Sequence, residues 1–473
     1  MYDIYQSFDH ETDYPDLDKD GAVLRLSRAI SCRTISDCAD PAPFDRLHEL
    51  MRESYPAVMA AGHMQLVGRS VLITIPGTQK QLPPALFMAH QDVVPVVKGT
   101  EDDWTWPAFS GAVEEGYIWG RGTLDIKEMV FGELEAAEYL LSRGKRPART
   151  VILAFGEDEE TFGKGAKALS DLLKAHGTRL AFVLDEGGSG IDDGVIYGAP
   201  DVKIASIDLM EKGYADLRIS VSSRGGHSSM PWGGTSLGRL SQAIAAVTNH
   251  PFPARLPEIV CAMFESLRPY ITMEPLKTLV QDINANREAI ASFCLQNKTL
   301  FNLVITTIAP TMITGSSAAP NVMPQNMEAV INFRLMEGHS PEQVMEHCRT
   351  AIRAAGLPLA DEPDTEPGSG VALSFDQANA PSSIARRDGY GYAKVLATMQ
   401  RYFKDIVFYP ACSGGATDAR SYEQICDTCL RRSPFMAEPE DEGSVHGTNE
   451  RISIRSYAQG IRALIHLMDE TCF

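Results

Sequence analysis

The sequence predicts an α/β fold, a mostly parallel sheet with helices on both faces, interrupted by a second α+β unit. Three observations predict it. Strand-like and helix-like stretches alternate along the first part of the chain. Residues 84–89, 151–155 and 180–184 are short, continuously apolar runs, as strands buried on both faces are. Each run stops at metal-binding or acid-base side chains: His90 and Asp92 after the first, Glu157, Glu159 and Glu160 after the second, Asp185 and Glu186 after the third. Open α/β sheets bind ligands just beyond the carboxyl ends of their strands, so three strands deliver one site. Carboxylate pairs and an imidazole suit a divalent metal and a hydrolytic water better than a nucleotide.

Each element follows from local pattern. The spacing of Val23, Leu24, Leu26, Ala29 and Ile30, then of Leu47, Leu50 and Met51, predicts helices around a loop at 36–43. Strands follow at 71–75 and 84–89, an amphipathic helix at 127–142, a strand at 151–155, a helix at 165–176 and a strand at 180–184. Near Glu211-Lys212-Gly213 the pattern changes. Residues 214–222 alternate apolar and polar with a period of two, the mark of a half-exposed antiparallel strand. Further strands are predicted at 301–313, 327–335 and 371–375, and helices at 236–248 and 341–355. An apolar-periodic stretch at 256–293 reads as a helical excursion within this unit. A helix at 386–403, a strand at 405–409 and a helix at 454–470 return the chain to the first unit. The expected division is 1–209 with 380–473 as one domain and 210–379 inserted into it. A chain of 473 residues is too long for a single core, which agrees.

Bulk properties narrow the function. The net charge of −19, without a basic stripe, argues against nucleic acid as a partner, and most of the excess acid reads as solvated surface. The acidic, aromatic segment 1–19 does not read as a secretory signal, and no run approaches the roughly 18–20 apolar residues that cross a bilayer. Nine scattered cysteines read as reduced thiols, so the expectation is a cytoplasmic protein without a membrane partner. Cys426 and Cys429 form a single Cys-x-x-Cys, which reads as coincidence rather than a zinc or redox motif.

The chemistry sits at the strand ends. His90 and Asp92 are two apart, so their side chains point the same way and Asp92 can hold the imidazole. Asp125, after the glycine-rich turn Trp119-Gly-Arg-Gly-Thr-Leu, reads either as a helix cap or as a carboxylate bridging two metals. That turn lacks the third glycine and the lysine of a phosphate loop. Glu159 and Glu160 are adjacent carboxylates at a strand mouth. They are solvated surface charges, or they divide their labour, one binding metal and the other taking protons. Asp185 and Glu186 offer a further ligand, and His446 stands in a loop before the last helix.

These motifs, together with Arg224-Gly-Gly-His227-Ser-Ser-Met-Pro and Val445-His446-Gly-Thr-Asn-Glu450, resemble in order the metallopeptidase family of aminoacylase, acetylornithine deacetylase, succinyl-diaminopimelate desuccinylase and carboxypeptidase S. The carboxypeptidase S-like branch is the most similar. The resemblance implies a di-zinc catalytic domain and an inserted ferredoxin-like lid and dimerisation domain. It implies two zinc ions per subunit bridged by Asp125 and a water, one held by His90 and Glu186, the other by Glu160 and His446. Cobalt or manganese also suits so carboxylate-rich a site. Asp92 would orient His90, Glu159 would be the general base, and His227 would be lent by one subunit of a homodimer to the other. Arg334 would grip a substrate carboxylate in the bidentate manner open to guanidinium, with Asn321 in the same pocket and the backbone at Gly414 and Gly415 close to substrate. Arg420 would pair structurally. The choice between Asp185 and Glu186 stays open, and Glu128-Met129 departs from the family's small residue at that point.

The implied reaction is hydrolysis of an amide next to a free carboxylate in a small peptide or an N-acyl amino acid. The enzyme is then a dipeptidase or carboxypeptidase, with an N-acyl-amino-acid amidohydrolase as the alternative and a non-catalytic binding protein as a remote one.

Overall fold

The computed structural model describes residues 3–161, 163–188, 190–366 and 368–473. Strands β1 (His63–Val67) and β2 (Ser70–Ile75) form a hairpin, followed by β3 (Ala85–His90), helix α1 (Lys127–Ser142), β4 (Val151–Gly156), β5 (Phe182–Asp185) and β6 (Lys203–Glu211). The chain then builds a second sheet from β7 (Gly213–Ser222), β8 (Thr307–Thr314), β9 (Asn326–Leu335) and β10 (Val371–Asn379). Helix α2 (Ser236–Thr248) follows β7, α3 (Glu258–Leu267) lies in the excursion, and α4 (Pro341–Ala354) precedes β10. Strands β11 (Ile406–Ser413) and β12 (Cys429–Arg431) and helix α5 (Ile454–Cys472) complete the first unit.

The large sheet runs in the order β1-β2-β4-β3-β5-β12-β6-β11. Its centre is parallel: β3 pairs parallel with β4 and β5, β5 with β12, and β6 with β11. Every residue of β3 and of β4 is buried, which explains why their sequences show no alternation. Helix α1 packs on this sheet beside α5. The ring of Phe435 wedges between the two helices at Gly132 and Gly460, where a Cβ on either glycine would lie 2.2 Å from a ring atom.

The second sheet is antiparallel, in the order β8-β9-β7-β10. Ala215, Leu217, Ile219 and Val221 point from β7 into a separate core with α2 and α4. Two strand-helix-strand repeats with this strand order make a ferredoxin-like unit. Helix α4 starts at a reciprocal cap between Ser340 and Gln343. Although the excursion interrupts this unit in sequence, its apolar side chains, among them Ile259, Val260, Met263 and Phe264, join the core of the large sheet.

Several elements differ from their predicted extents. The helix predicted at 386–403 spans Tyr390–Tyr402, because Arg386 and Asp388 pair in a turn before it. The strand predicted at 301–313 is a single 3-10 turn at Phe301–Leu303 followed by β8. Strands β6 and β12 were not predicted. In both, buried charged residues break the apolar pattern: Asp208 and Glu211 in one, Arg431 in the other. Among the described residues no helix is long and apolar enough to cross a membrane.

Candidate metal centre

His90 ends β3 and is 1% exposed. Its Nδ1 lies 3.0 Å from the main-chain oxygen of Asp92 and 3.5 Å from that residue's Oδ1, so the proton belongs there and Nε2 is left free to act as a ligand. Nε2 faces Asp125 Oδ1 at 2.9 Å and Glu186 Oε1 at 3.7 Å. On the other side His446 Nε2 lies 2.9 Å from Asp125 Oδ2 and 3.2 Å from Glu160 Oε1. Asp125 therefore presents one oxygen to each imidazole. It does not cap α1, whose N-cap is Ile126 with no side-chain hydrogen bond.

Two triads result, His90 with Asp125 and Glu186, and Asp125 with Glu160 and His446, each with ligand atoms within 4.8 Å of one another. This donor set fits divalent ions: nitrogen and carboxylate oxygen are the ligands zinc, cobalt and manganese accept. The charge balance fits as well. Among the described residues no lysine or arginine ion-pairs with Asp125, Glu160 or Glu186, and only the two histidines face them.

Electrostatics show the strain of that crowding. Burial, followed by the neighbouring Glu160, Asp125 and Asp92, pushes the Glu159 carboxyl up to about 8, against the pull of His90. Burial likewise raises Glu186 well above the usual carboxylate range. Burial opposes the charge of Asp125, but hydrogen bonds from His446 and His90 outweigh it and hold that carboxyl well below the usual range. Hydrogen bonds to Asp125 and Glu160 raise His446 to about 10.

Asp92 does more than face His90. Its oxygens accept from the Glu159 and Glu160 amides at 3.2 and 3.3 Å and from the Ser36 hydroxyl at 2.7 Å, so one carboxylate positions both the imidazole and the diglutamate turn. Asp185 is used up by backbone amides, Glu186 N at 2.8 Å and Ala419 N at 2.8 Å, which leaves Glu186 to face His90. Arg420 pairs with Glu211 at 3.3 Å.

Two residues carry roles that the sequence reading missed. Glu450 is fully buried and accepts from the Gly122 and Leu124 amides, each at 2.9 Å, and from Arg121 at 2.5 Å. Arg121 also donates to the Gly447 carbonyl, so Glu450 ties the glycine-rich turn carrying Asp125 to the loop carrying His446. His446 itself sits at φ 60°, a left-handed conformation uncommon outside glycine. Asp418 fills the space over Gly156 and Gly163, where a Cβ would lie 2.4 Å from its oxygens. Burial and the nearby Glu159 raise its carboxyl well above the usual range. Glu450 stands inside a quoted motif, so its position was visible and its contacts were not.

Of the remaining candidates, Arg334, His227 and Asn321 lie on the second unit, and Gly414 and Gly415 follow β11 of the first. Arg334 ends β9 over the Tyr214 ring, 4.8 Å from its centroid, and donates to the Gly414 carbonyl at 3.3 Å. Gly414 and Gly415 are exposed, and a Cβ at Gly414 would meet nothing within 4 Å, so the space above that backbone is open. His227 is exposed on the ribbon pairing Gly226–His227 with Val322–Met323. Its Nδ1 contacts Ser229 Oγ, and the Asn321 carbonyl accepts from Ser228. Neither His227 nor Asn321 hydrogen-bonds to the carboxylate cluster. Cys426 and Cys429 are buried and belong to neither triad.

A parallel sheet that gathers such donors at its strand ends, with a ferredoxin-like unit beside them, defines a hydrolase of the metal-using class. The chain belongs to peptidase family M20/M25/M40, whose model matches residues 86–470. It is 31% identical over 453 residues to the human N-fatty-acyl-amino acid synthase/hydrolase PM20D1, covering 94% of this chain and 86% of that one. It is 30% identical over 473 residues to the probable carboxypeptidase S-like 2 of Dictyostelium discoideum, covering 98% and 87%. Its fold is similar to that of the M20 family metallo-carboxypeptidase Sso-CP2 from Sulfolobus solfataricus, with a TM-score of 0.67, 17% identity and coverage of 94% and 98%.

Proposed function

We propose that this protein is an exopeptidase, a carboxypeptidase or dipeptidase, that hydrolyses an amide next to a free carboxylate. The observation that carries the reading is the pair of triads sharing Asp125. Zinc would be held by His90, Asp125 and Glu186 on one side and by Asp125, Glu160 and His446 on the other, with cobalt or manganese as substitutes. Bound there, the ions supply an acidified water and a polarised carbonyl.

The protein's own residues do the rest. Glu159 accepts the water proton and delivers it to the leaving amine. Asp92 holds Glu159 in place through its amide. Arg334 grips the substrate carboxylate, with Asn321 in the same polar pocket and the backbone at Gly414 and Gly415 along the substrate. His227 stabilises the oxyanion, a contribution of about 3 kcal/mol. Because His227 does not reach the cluster of its own chain, a second copy supplies it. Residues 210–379 then act as lid and dimerisation unit, with the excursion anchored on the large sheet. We place the enzyme in the cytoplasm.

Similarity to PM20D1 over 94% of the chain favours a second reading, an N-acyl-amino-acid amidohydrolase with the same site. A panel of dipeptides and of short- and long-acyl amino acids, assayed with each metal, separates the two. Glu159→Ala tests the chemistry common to both. Turnover should fall at least about a hundredfold while metal content stays near about two ions per subunit. Turnover equal to the parent's removes Glu159 from the role of base.

A further inference from the structure

A cavity of about 170 Å³ lies beside Arg334, between the large sheet and the helical excursion, and the chemistry above makes no use of it. Exposed Gly414, whose carbonyl takes the Arg334 hydrogen bond, stands at its mouth. Ile259, Val260 and Met263 of α3, with Leu303 and Ala411, form apolar walls. Buried Asp208 of β6, Tyr197 and Tyr409 form the floor. Pockets for whole ligands run to about 300–1,000 Å³, so this one has the size for a single side chain.

The floor offers acceptor oxygens from Asp208 and the two tyrosines. Tyr409 and Tyr197 spend one hydroxyl proton on each other at 3.2 Å. The Asp208 carboxylate accepts from the Ser206 hydroxyl, and among the described residues no lysine or arginine makes a direct ion pair with it. The hydrogen bonds of the two nearby cations go elsewhere, and both reach Asp208 only through their field. Arg432 donates to the Ser206 carbonyl and the Met436 sulfur, and Arg431 faces Glu211 and Glu423. Burial raises the Asp208 carboxyl, opposed by those arginines. A buried carboxylate without a direct ion pair is costly, and a cation arriving with the ligand lowers that cost.

We propose that this cavity receives the side chain of the residue whose carboxylate Arg334 holds, and that Asp208 selects an aliphatic side chain ending in an ammonium or guanidinium group. The inference rests on the exopeptidase or amidohydrolase reading and names its leaving amino acid: lysine-like or arginine-like. The stem lies along α3 and the charged tip meets Asp208. Tyr197 and Tyr409 offer further acceptor oxygens.

The test compares kcat/KM for the glycyl and N-acetyl derivatives of lysine, norleucine and glycine in the parent, Asp208→Asn and Met263→Trp. Lysine should exceed norleucine by about tenfold or more in the parent, because norleucine leaves the floor unpaired. That ratio should collapse toward one in Asp208→Asn. In Met263→Trp, which fills the sleeve, the lysine-to-glycine ratio should fall by about tenfold. A parent that favours norleucine, or an Asp208→Asn variant that keeps the lysine preference, overturns the proposal. If Asp208→Asn does not fold, the parent's ratio and Met263→Trp still decide it. Hydrolysis of the glycine derivatives without any lysine preference sinks the pocket alone. Hydrolysis of none of the derivatives with zinc, cobalt or manganese sinks the functional reading, and the pocket with it.

Discussion

At the scale of single residues, the site is organised by carboxylates that bind no metal in the proposed arrangement. Asp92 accepts three hydrogen bonds while facing His90. Replacing it by asparagine keeps the volume but exchanges one acceptor oxygen for a donor that opposes an amide or the Ser36 hydroxyl. Asp92→Asn should therefore loosen metal about 10–100-fold and lower kcat together with it, since outer-shell partners of metal ligands carry effects of that size. Competition with a chromophoric chelator measures the first and steady-state kinetics the second. Unchanged affinity would show that the Asp92 backbone carbonyl alone fixes the imidazole. The sequence reading placed His90, Asp125, Glu160, Glu186 and His446 near strand ends or loops, and the structure gathers these five into two triads. It could not choose between Asp185 and Glu186, because the choice depends on the Ala419 amide, more than two hundred residues away in the chain. The contacts of Glu450 were hidden for the same reason: its partners are backbone amides of the turn at 122–124.

At the scale of elements, legibility followed the source of the stabilisation. β3 and β4 lie where their unbroken apolar runs put them, and α1 has its predicted extent but not its predicted amphipathic character, since every residue from Lys127 to Ala137 is buried. β12 is three residues long, and its buried Arg431 meets Glu423 nearby and Glu211 from a distant strand, so no apolar run announces it. The α1–α5 contact is equally silent in sequence. Gly132 and Gly460 mark it only because the Phe435 ring fills the space above both. Gly132→Ala places a methyl 2.2 Å from a ring that α5 boxes in from the other side, so the ring cannot yield without separating the helices. Overpacking of this kind costs about 1–3 kcal/mol, more than the gain in helix propensity from losing a glycine. Urea unfolding should show the midpoint lowered with the slope unchanged. A midpoint equal to or above the parent's would mean that Phe435 has room to move.

At the scale of the whole molecule, strands distant in sequence converge on groups whose charges oppose the fold unless cations join them. In the chelated protein this becomes a pH dependence of stability whose sign is fixed. The Glu159 carboxyl, about 8 in the fold against an ordinary 4.5, stabilises fully below about 4.5, and that contribution is lost as pH rises through about 8. His446, about 10 against an ordinary 6.5, contributes below about 6.5 and loses its contribution as pH rises through about 10. Glu186, also raised, acts in the same direction as Glu159. Asp125 acts oppositely, but its window lies below its ordinary value of 3.8. The Tm of the chelated protein should therefore fall steadily from about pH 5 to about pH 9. With zinc bound the same carboxylates are ionised and the imidazoles neutral throughout most of that range, so proton exchange with the unfolded chain shrinks and the curve flattens. The gap between the two curves should widen with pH, the metal stabilising the fold by about 4 kcal/mol where free metal stands a thousandfold above its Kd. Differential scanning calorimetry with and without chelator reads both curves directly. Parallel curves across that range would mean that the strand-end carboxylates are not where the metal binds.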